Sequence, residues 1–266
     1  MAIKLLALDL DDTLLDKSNL ISPRCREAIR KAVDKGVVVT LATGRMYESA
    51  VPYARQLGLD IPIITYTGAL IKSGLSDEVI FTSSFEPETA AEVLELFRER
   101  DWYIQVYMGD KLYVKEYNEK SRTYEALTGI KAIPAGLELY SMVNDVYKMM
   151  AVDEPAAMRE IAKVVHAAFQ GRIFAPLSRP MYLEMVRHGV NKGVAIDFLA
   201  KRLGIRQSEV MAVGDSNNDV DMLKYAGLGI AMGNAMPEVK AIADAVTLAN
   251  DEDGVAEAIH RYILAE

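Results

Sequence analysis

One cysteine, Cys25, in 266 residues excludes an internal disulfide and any cysteine-based zinc site, and it fits a reducing cytoplasm. The three histidines, His166, His188 and His260, are too scattered for metal-ligand spacing. Long apolar runs are also missing. The longest candidates, LLAL at 5–8 and VVVTLA at 37–42, fall far short of the roughly 18 residues a membrane helix needs, so no membrane partner is expected. The opening MAIKLLALDLDD turns acidic too soon for a signal peptide. Positive charge is in short supply: 30 Lys and Arg stand against 38 Asp and Glu, for a net charge of −8, which argues against a nucleic-acid footprint. What is plentiful is core-forming material, with 51% hydrophobic residues, so disorder is excluded and a globular cytoplasmic protein is expected.

Apolar runs bounded by small or polar residues alternate with helical patterns, which predicts a parallel α/β sheet. Residues 3–8 read as a buried strand. A helix over 22–35 follows, with Ser22 as its N-cap, Pro23 at its first position and Gly36 past its end. A strand at 37–42, a helix at 46–58 and a strand at 61–65 come next, and Pro52 is expected to kink or interrupt the helix. Beyond 68 the rhythm changes to a hairpin (69–73 and 79–84), a helix near 87–100 and an aromatic β-pattern, WYIQVY then KLYVKEY across Gly109–Asp110. Further strands are expected at 146–152, 172–177 and 181–187, with helices near 118–127 and 155–169. After 190 the βα rhythm returns: helix 191–203, strand 209–213, helix 217–225, strand 228–231 and helix 254–265. The expected organisation is therefore one α/β core, 1–83 with 187–266, interrupted by an α+β insert, 84–186. The insert holds eight of the thirteen tyrosines and seven of the thirteen methionines, most of which read as packing.

The chemistry lies in where carboxylates fall. Asp9 and Asp11 directly follow a buried strand, and i, i+2 residues of an extended chain point the same way, toward the end of the sheet where ligands bind. Asp9, Asp11, Asp12 and Asp16 together repel one another, and clustered carboxylate oxygens suit Mg²⁺. Thr43-Gly44-Arg45 follows the second strand, where a hydroxyl and backbone donors can face a phosphate, or where Thr43 simply caps a helix. Lys192 sits in a helix's first turn, the wrong end of the dipole for a cation; either an anion lies beside it or the charge is merely solvated. Asp215, Asn218 and Asp219 follow the strand at 209–213, as ligands or as helix caps. The run GLGIAMG misses the dinucleotide-binding spacing. Each segment has an ordinary structural reading. Together they supply a carboxylate pair, a hydroxyl, a lysine and a further carboxylate, a set able to bind Mg²⁺ and attack a phosphate.

In order and context these motifs resemble the haloacid dehalogenase superfamily: DLDDTL at 9–14, Thr43, Lys192 and GDSNND at 214–219. The 33 residues from Asp9 to Thr43 leave no room for a large cap, whereas the stretch from Thr43 to Lys192 does. That placement, with YLEMVRHGVNKG and GIAMGNA, is similar to the Cof-type phosphatases. The resemblance implies a Rossmann-like core with an α+β cap that governs substrate choice. It implies Asp9 as nucleophile and Asp11 as general acid and base, with Mg²⁺ held by Asp9, the Asp11 backbone carbonyl and Asp215. It further implies phosphate contacts from Leu10, Thr43, Gly44, Lys192 and Asn218, supported by Thr13 and Asp219. Tyr66-Thr67-Gly68-Ala69 departs from the pattern, since many relatives read Asn-Gly there. The expected activity is hydrolysis of a small-molecule phosphate ester through an aspartyl phosphate. The alternatives are a sugar phosphomutase or, from another class, a phospho-accepting signalling module.

Overall fold

The computed structural model describes residues 2–58 and 60–265. In chain order the first elements are β1 (Leu5–Leu8), α1 (Pro23–Asp34), β2 (Val38–Ala42), α2 (Tyr47–Leu57), β3 (Pro62–Thr65), β4 (Leu70–Ser73) and β5 (Val79–Thr82). Next come α3 (Pro87–Glu99), β6 (Ile104–Met108), β7 (Lys111–Val114), α4 (Glu119–Thr128), β8 (Ala132–Pro134), β9 (Val146–Val152), α5 (Pro155–Ala168), β10 (Ile173–Phe174), β11 (Leu177–Arg179) and β12 (Tyr182–Arg187). The chain closes with α6 (Lys192–Arg202), β13 (Val210–Gly214), α7 (Val220–Tyr225), β14 (Leu228–Ala231), α8 (Pro237–Ile242), β15 (Ala245–Val246) and α9 (Gly254–Ile259).

These elements form two compact units: Met1–Arg45 with Ala50–Ile80 and Asn191–Glu266, and Met46–Ser49 with Phe81–Val190. The first is an α/β unit whose sheet runs β15-β14-β13-β1-β2-β3-β4-β5. Strands β15 through β3 pair in parallel, and β4 turns back antiparallel to β3. The chain leaves β1 for β2 on one side and later returns as β13 on the other. That reversal makes the carboxyl end of β1 a topological switch point, where open α/β sheets bind ligands. Because Leu8 is in register with both Val213 and Leu41, the residues that follow β1, β13 and β2 emerge side by side.

The second unit is a mixed sheet, β10-β12-β9-β6-β7-β8, with β11 paired to β12. One face carries Ile104, Val106, Met149, Ala151, Leu183 and Met185 against α3 and α5. Strand alternation puts Gln105, Tyr107, Lys148 and Glu184 on the opposite face. Gly109 and Asp110 both take positive φ, which closes the β6–β7 hairpin tightly.

Several local expectations are corrected. Pro52 stands at the middle of the eleven-residue α2 without ending it; its missing N–H costs the helix one bond. The segment expected as a helix over 217–225 opens with a tight turn at Asn217–Asp219 before α7. The short elements β8, α8 and β15 have too few residues to show a period, and sequence reading passed over them.

Candidate active site

Asp9 follows β1 directly, its N–H donating to the Val213 carbonyl across the sheet. The chain then makes a wide turn, in which the N–H groups of Leu14 and Leu15 donate five residues back to the carbonyls of Asp9 and Leu10. Asp12, at φ 56°, supplies the left-handed residue this turn requires. Sequence reading treated Asp9 and Asp11 as neighbours on an extended chain. Within the turn the two differ in surroundings: the Asp9 carboxylate is buried, while Asp11 accepts both arms of Arg45 and its charge still acts on Asp9. Leu10 is wholly buried, so only its backbone can meet a ligand.

Lys192 decides between its two readings, because its side chain is 0% exposed. Its Nζ donates to Asp9 Oδ1 and Asp219 Oδ1, both at 2.6 Å. Burial opposes the charge, but the Asp219 and Asp9 carboxylates outweigh it and hold the ammonium above its ordinary range. Asp219 is fully engaged, since its other oxygen accepts the N–H groups of Asp215 and Ser216 at 3.0 Å. This seating needs Gly214, where a Cβ would lie 2.6 Å from the Asp219 side chain. Sequence reading gave Asp219 only a supporting place; it is the second anchor of Lys192.

Asp215 accepts a 2.8 Å bond from the Thr13 hydroxyl through Oδ1. Carboxylate oxygens of Asp9, Asp215 and Asp219 lie within 4.8 Å of one another. Burial first, then the Asp219 charge, pushes the Asp215 carboxyl up to about 7. Burial likewise drives Asp9 well above the carboxylate range; Lys192 opposes this, while Asp219, Asp215 and Asp11 add to it. One cation thus faces three carboxylates, and the cluster keeps an excess of negative charge in a buried place. No donor reaches Asp9 Oδ2 or Asp215 Oδ2 among the described residues. Two unfilled carboxylate oxygens in an over-negative pocket fit a hard, oxygen-seeking divalent cation.

Thr43 is buried at the end of β2, and α2 starts four residues later, so it does not cap that helix. Its Oγ1 accepts the Arg45 N–H at 3.1 Å, and its N–H donates to the Ile64 carbonyl. Gly44 lies between them. Asn218 accepts a 2.8 Å bond from the Ser216 hydroxyl beside Asp215. The loop Tyr66–Gly68 packs between these motifs: Thr67 N–H donates to the Thr43 carbonyl, and a Cβ on Gly68 would strike the Asn191 carbonyl at 2.4 Å. Tyr66 and Thr67 both have positive φ, 50° and 59°. Among the described residues, Thr67 Oγ1 is the buried side-chain atom without a hydrogen-bond partner.

A family model for haloacid dehalogenase-like hydrolases matches residues 6–259. The chain belongs to the haloacid dehalogenase-like hydrolases. Its relative YcsE of Bacillus subtilis, a 5-amino-6-(5-phospho-D-ribitylamino)uracil phosphatase, is 32% identical over 98% of this chain and 96% of its own. A haloacid dehalogenase-like hydrolase from Bacteroides thetaiotaomicron superposes with a TM-score of 0.88 at 33% identity, covering 97% of this chain and 99% of that one. The subclass IIB sugar phosphatase BT4131 gives a TM-score of 0.82 at 28% identity, over 97% and 98%. Membership makes the protein a hydrolase, with the parallel-sheet α/β fold of its family. No helix among the described residues is long and apolar enough to cross a membrane.

Sequence reading missed the groups around Arg45. Its Nε donates to Asp11 Oδ2 at 2.9 Å and its Nη2 to Asp11 Oδ1 at 2.5 Å. Tyr53 and Asn19 complete its surroundings, each taking a guanidinium N–H at 3.2 Å. Arg45 was visible in the Thr43-Gly44-Arg45 run, but nothing in its spacing pointed to Asp11. Asn234, in the GIAMGNA run, donates to the Asp12 carbonyl at 2.7 Å and so clasps the turn that carries Asp9 and Asp11.

Proposed function

We propose that this chain is a Mg²⁺-dependent phosphatase of small phosphomonoesters that works through an aspartyl phosphate on Asp9. The observation that carries the reading is Lys192, buried without exposure between Asp9 and Asp219 and beside Asp215. Such a cluster is stable only if further positive charge arrives, and it would repel a phosphate dianion without it. Asp9, the Asp11 backbone carbonyl and Asp215 would hold Mg²⁺, which supplies countercharge to the phosphoryl oxygens.

Asp9 then attacks phosphorus, and the ester P–O bond breaks with its electron pair passing to the leaving oxygen. Asp11 gives that oxygen a proton, and later takes one from the water that releases phosphate from Asp9. Lys192 sits within reach of Asp9 and neutralises the oxygens gathered there, while Thr43, Gly44, Asn218 and the Leu10 backbone orient them. Asp219 keeps Lys192 charged and fixed, and Thr13 holds Asp215. The insert is assigned the choice of ester. A phosphorylated ribityl compound for YcsE and a sugar phosphate for BT4131 support sugar phosphates or phosphorylated cofactors as the substrate class.

The test is phosphate release from p-nitrophenyl phosphate with Mg²⁺, with EDTA, and in Asp9→Asn. Turnover should require the metal and fall by at least about 10³-fold in the variant. Undiminished turnover in EDTA or in Asp9→Asn would overturn the reading.

A further inference from the structure

The Arg45 fork occupies both oxygens of the side chain that must deliver a proton. With Nε on Asp11 Oδ2 and Nη2 on Asp11 Oδ1, each oxygen of this half-exposed carboxylate accepts a charged donor, and the oxygen that takes up the proton to be delivered is a poor acceptor and must give its donor up. A bidentate guanidinium–carboxylate pair is strong and geometrically specific, and one arm is released most cheaply where a second acceptor already stands beside it. The replacement is already in place. The same Nη2 that holds Oδ1 also donates to Asn19 Oδ1, at 3.2 Å. Nη1 is held by the Tyr53 hydroxyl at 3.2 Å, with the guanidinium 5.2 Å from the centroid of the Tyr53 ring. Arg45 can therefore give up Asp11 Oδ1 and still keep Nε on Oδ2, Nη2 on Asn19 and Nη1 on Tyr53.

We propose that Arg45 is the positioning residue for Asp11, a two-state holder that is forked on both oxygens at rest and one-armed during reaction. In the one-armed state the Nε–Oδ2 bond aims the carboxyl group, and Oδ1 faces the leaving oxygen. Once released from Nη2, Oδ1 of the half-exposed Asp11 takes a proton from solvent; as the Asp9 oxygen bonds to phosphorus, the phosphorus–ester bond breaks, its electron pair goes to the ester oxygen, and the Oδ1 proton follows it. Asn19 and Tyr53 form the cradle that makes the exchange cheap. Asn19, at φ 57°, is held on this side of the loop by backbone geometry, its N–H donating to the Asp16 carbonyl. The inference rests on Asp11 acting as the acid for ester cleavage.

The leaving group separates aiming from mere binding. An aryl phosphate such as p-nitrophenyl phosphate expels a stable phenolate and needs little proton delivery, whereas glycerol phosphate and glucose 6-phosphate expel a basic alkoxide and need it fully. Pre-steady-state rates and kcat/KM are compared for both classes in the full-length protein with Mg²⁺. Arg45→Gln should lose on the order of 10²-fold in kcat on the alkyl esters. On the aryl ester it should lose no more than about threefold, with KM changing alike for both. Arg45→Lys should not rescue the alkyl esters, because an ammonium brings the charge without the fork. Asn19→Ala, at an exposed position, should shift the alkyl-to-aryl ratio in the same direction by a smaller factor, and it carries the test if Arg45→Gln does not fold. Equal losses on both ester classes, full rescue by Arg45→Lys, or an unchanged ratio in Asn19→Ala would overturn the proposal. A wild-type protein that turns over neither class would instead overturn the phosphatase reading, and the role of Arg45 with it.

Discussion

Each of the two units buries a lysine, and the two lysines are compensated differently. In the insert, Lys148 forms an ion pair with Glu184 at 3.4 Å and lies 4.7 Å from the centroid of the Tyr107 ring, its cross-strand partner. Beside it, the Tyr107 hydroxyl donates to Gln105 Oε1 at 2.8 Å, and the Gln105 amide donates to the Tyr103 hydroxyl at 3.2 Å. In that row the cation has a carboxylate opposite it and the polar groups have partners, as a structural polar network must. In the α/β unit, Lys192 faces Asp9 and Asp219 with Asp215 alongside, and the sum is negative. A buried ion pair organises a sheet. An unbalanced buried cluster is a demand for a ligand, and only the second is arranged at a switch point of strand order.

The largest effects should come from removing each lysine. Lys148→Met leaves Glu184 uncompensated and should cost about 3–5 kcal/mol in denaturant unfolding, while adding Glu184→Leu should return most of it. Lys192→Met should cost at least as much without metal and should not be repaired by removing one carboxylate, since two remain. If Glu184→Leu gives no recovery, or a single carboxylate substitution fully repairs Lys192→Met, the contrast between the units fails.

A middle-sized effect concerns pH. Asp9 and Asp215 both bind protons more tightly in the folded chain than in the unfolded one. Between the ordinary carboxylate value near pH 4 and the raised value of Asp215, about 7, the folded state therefore holds more protons. Stability without metal must then be greatest at the acid end of that window and fall as pH rises through it. Thermal unfolding in EDTA should show this slope, Mg²⁺ should flatten it by stabilising the ionised carboxylates, and Asp215→Asn should remove much of it. A melting temperature in EDTA that rises with pH across the window would contradict the buried negative excess.

The smallest effect tests strain next to the site. Thr67 is β-branched, has φ 59° and leaves its buried hydroxyl without a partner. Asparagine tolerates that backbone far better and brings an amide with more ways to bond. Thr67→Asn should stabilise the α/β unit by about 1 kcal/mol, a rise of about 2–4 °C in Tm. An unchanged or lower Tm would mean that the loop carries no stored strain.

Much of the α/β rhythm was legible because buried parallel strands are short apolar runs and helices carry caps. Ser22 capping α1 through the Cys25 N–H, with Pro23 next, is a clear case. The ends of β1, β2 and β13 could be read for the same reason, and with them the positions of Asp9, Thr43 and Asp215. The burial of Lys192 was not legible, since a lysine in a first helical turn looks the same on paper whether it meets water or two carboxylates. Nor was the fork from Arg45 to Asp11, which depends on a wide turn with Asp12 left-handed rather than on any spacing.

By itself, the order of residues determined the alternation of strands and helices, the interruption by an α+β insert, and the gathering of acidic residues at strand ends, because periodicity and capping are local properties of a chain. Only the tertiary structure decided that Asp219 anchors Lys192, that Asp11 faces Arg45, and that one cation is left to three carboxylates. Those outcomes depend on which loop ends the sheet register brings together, and electrostatics acts through space rather than along the sequence.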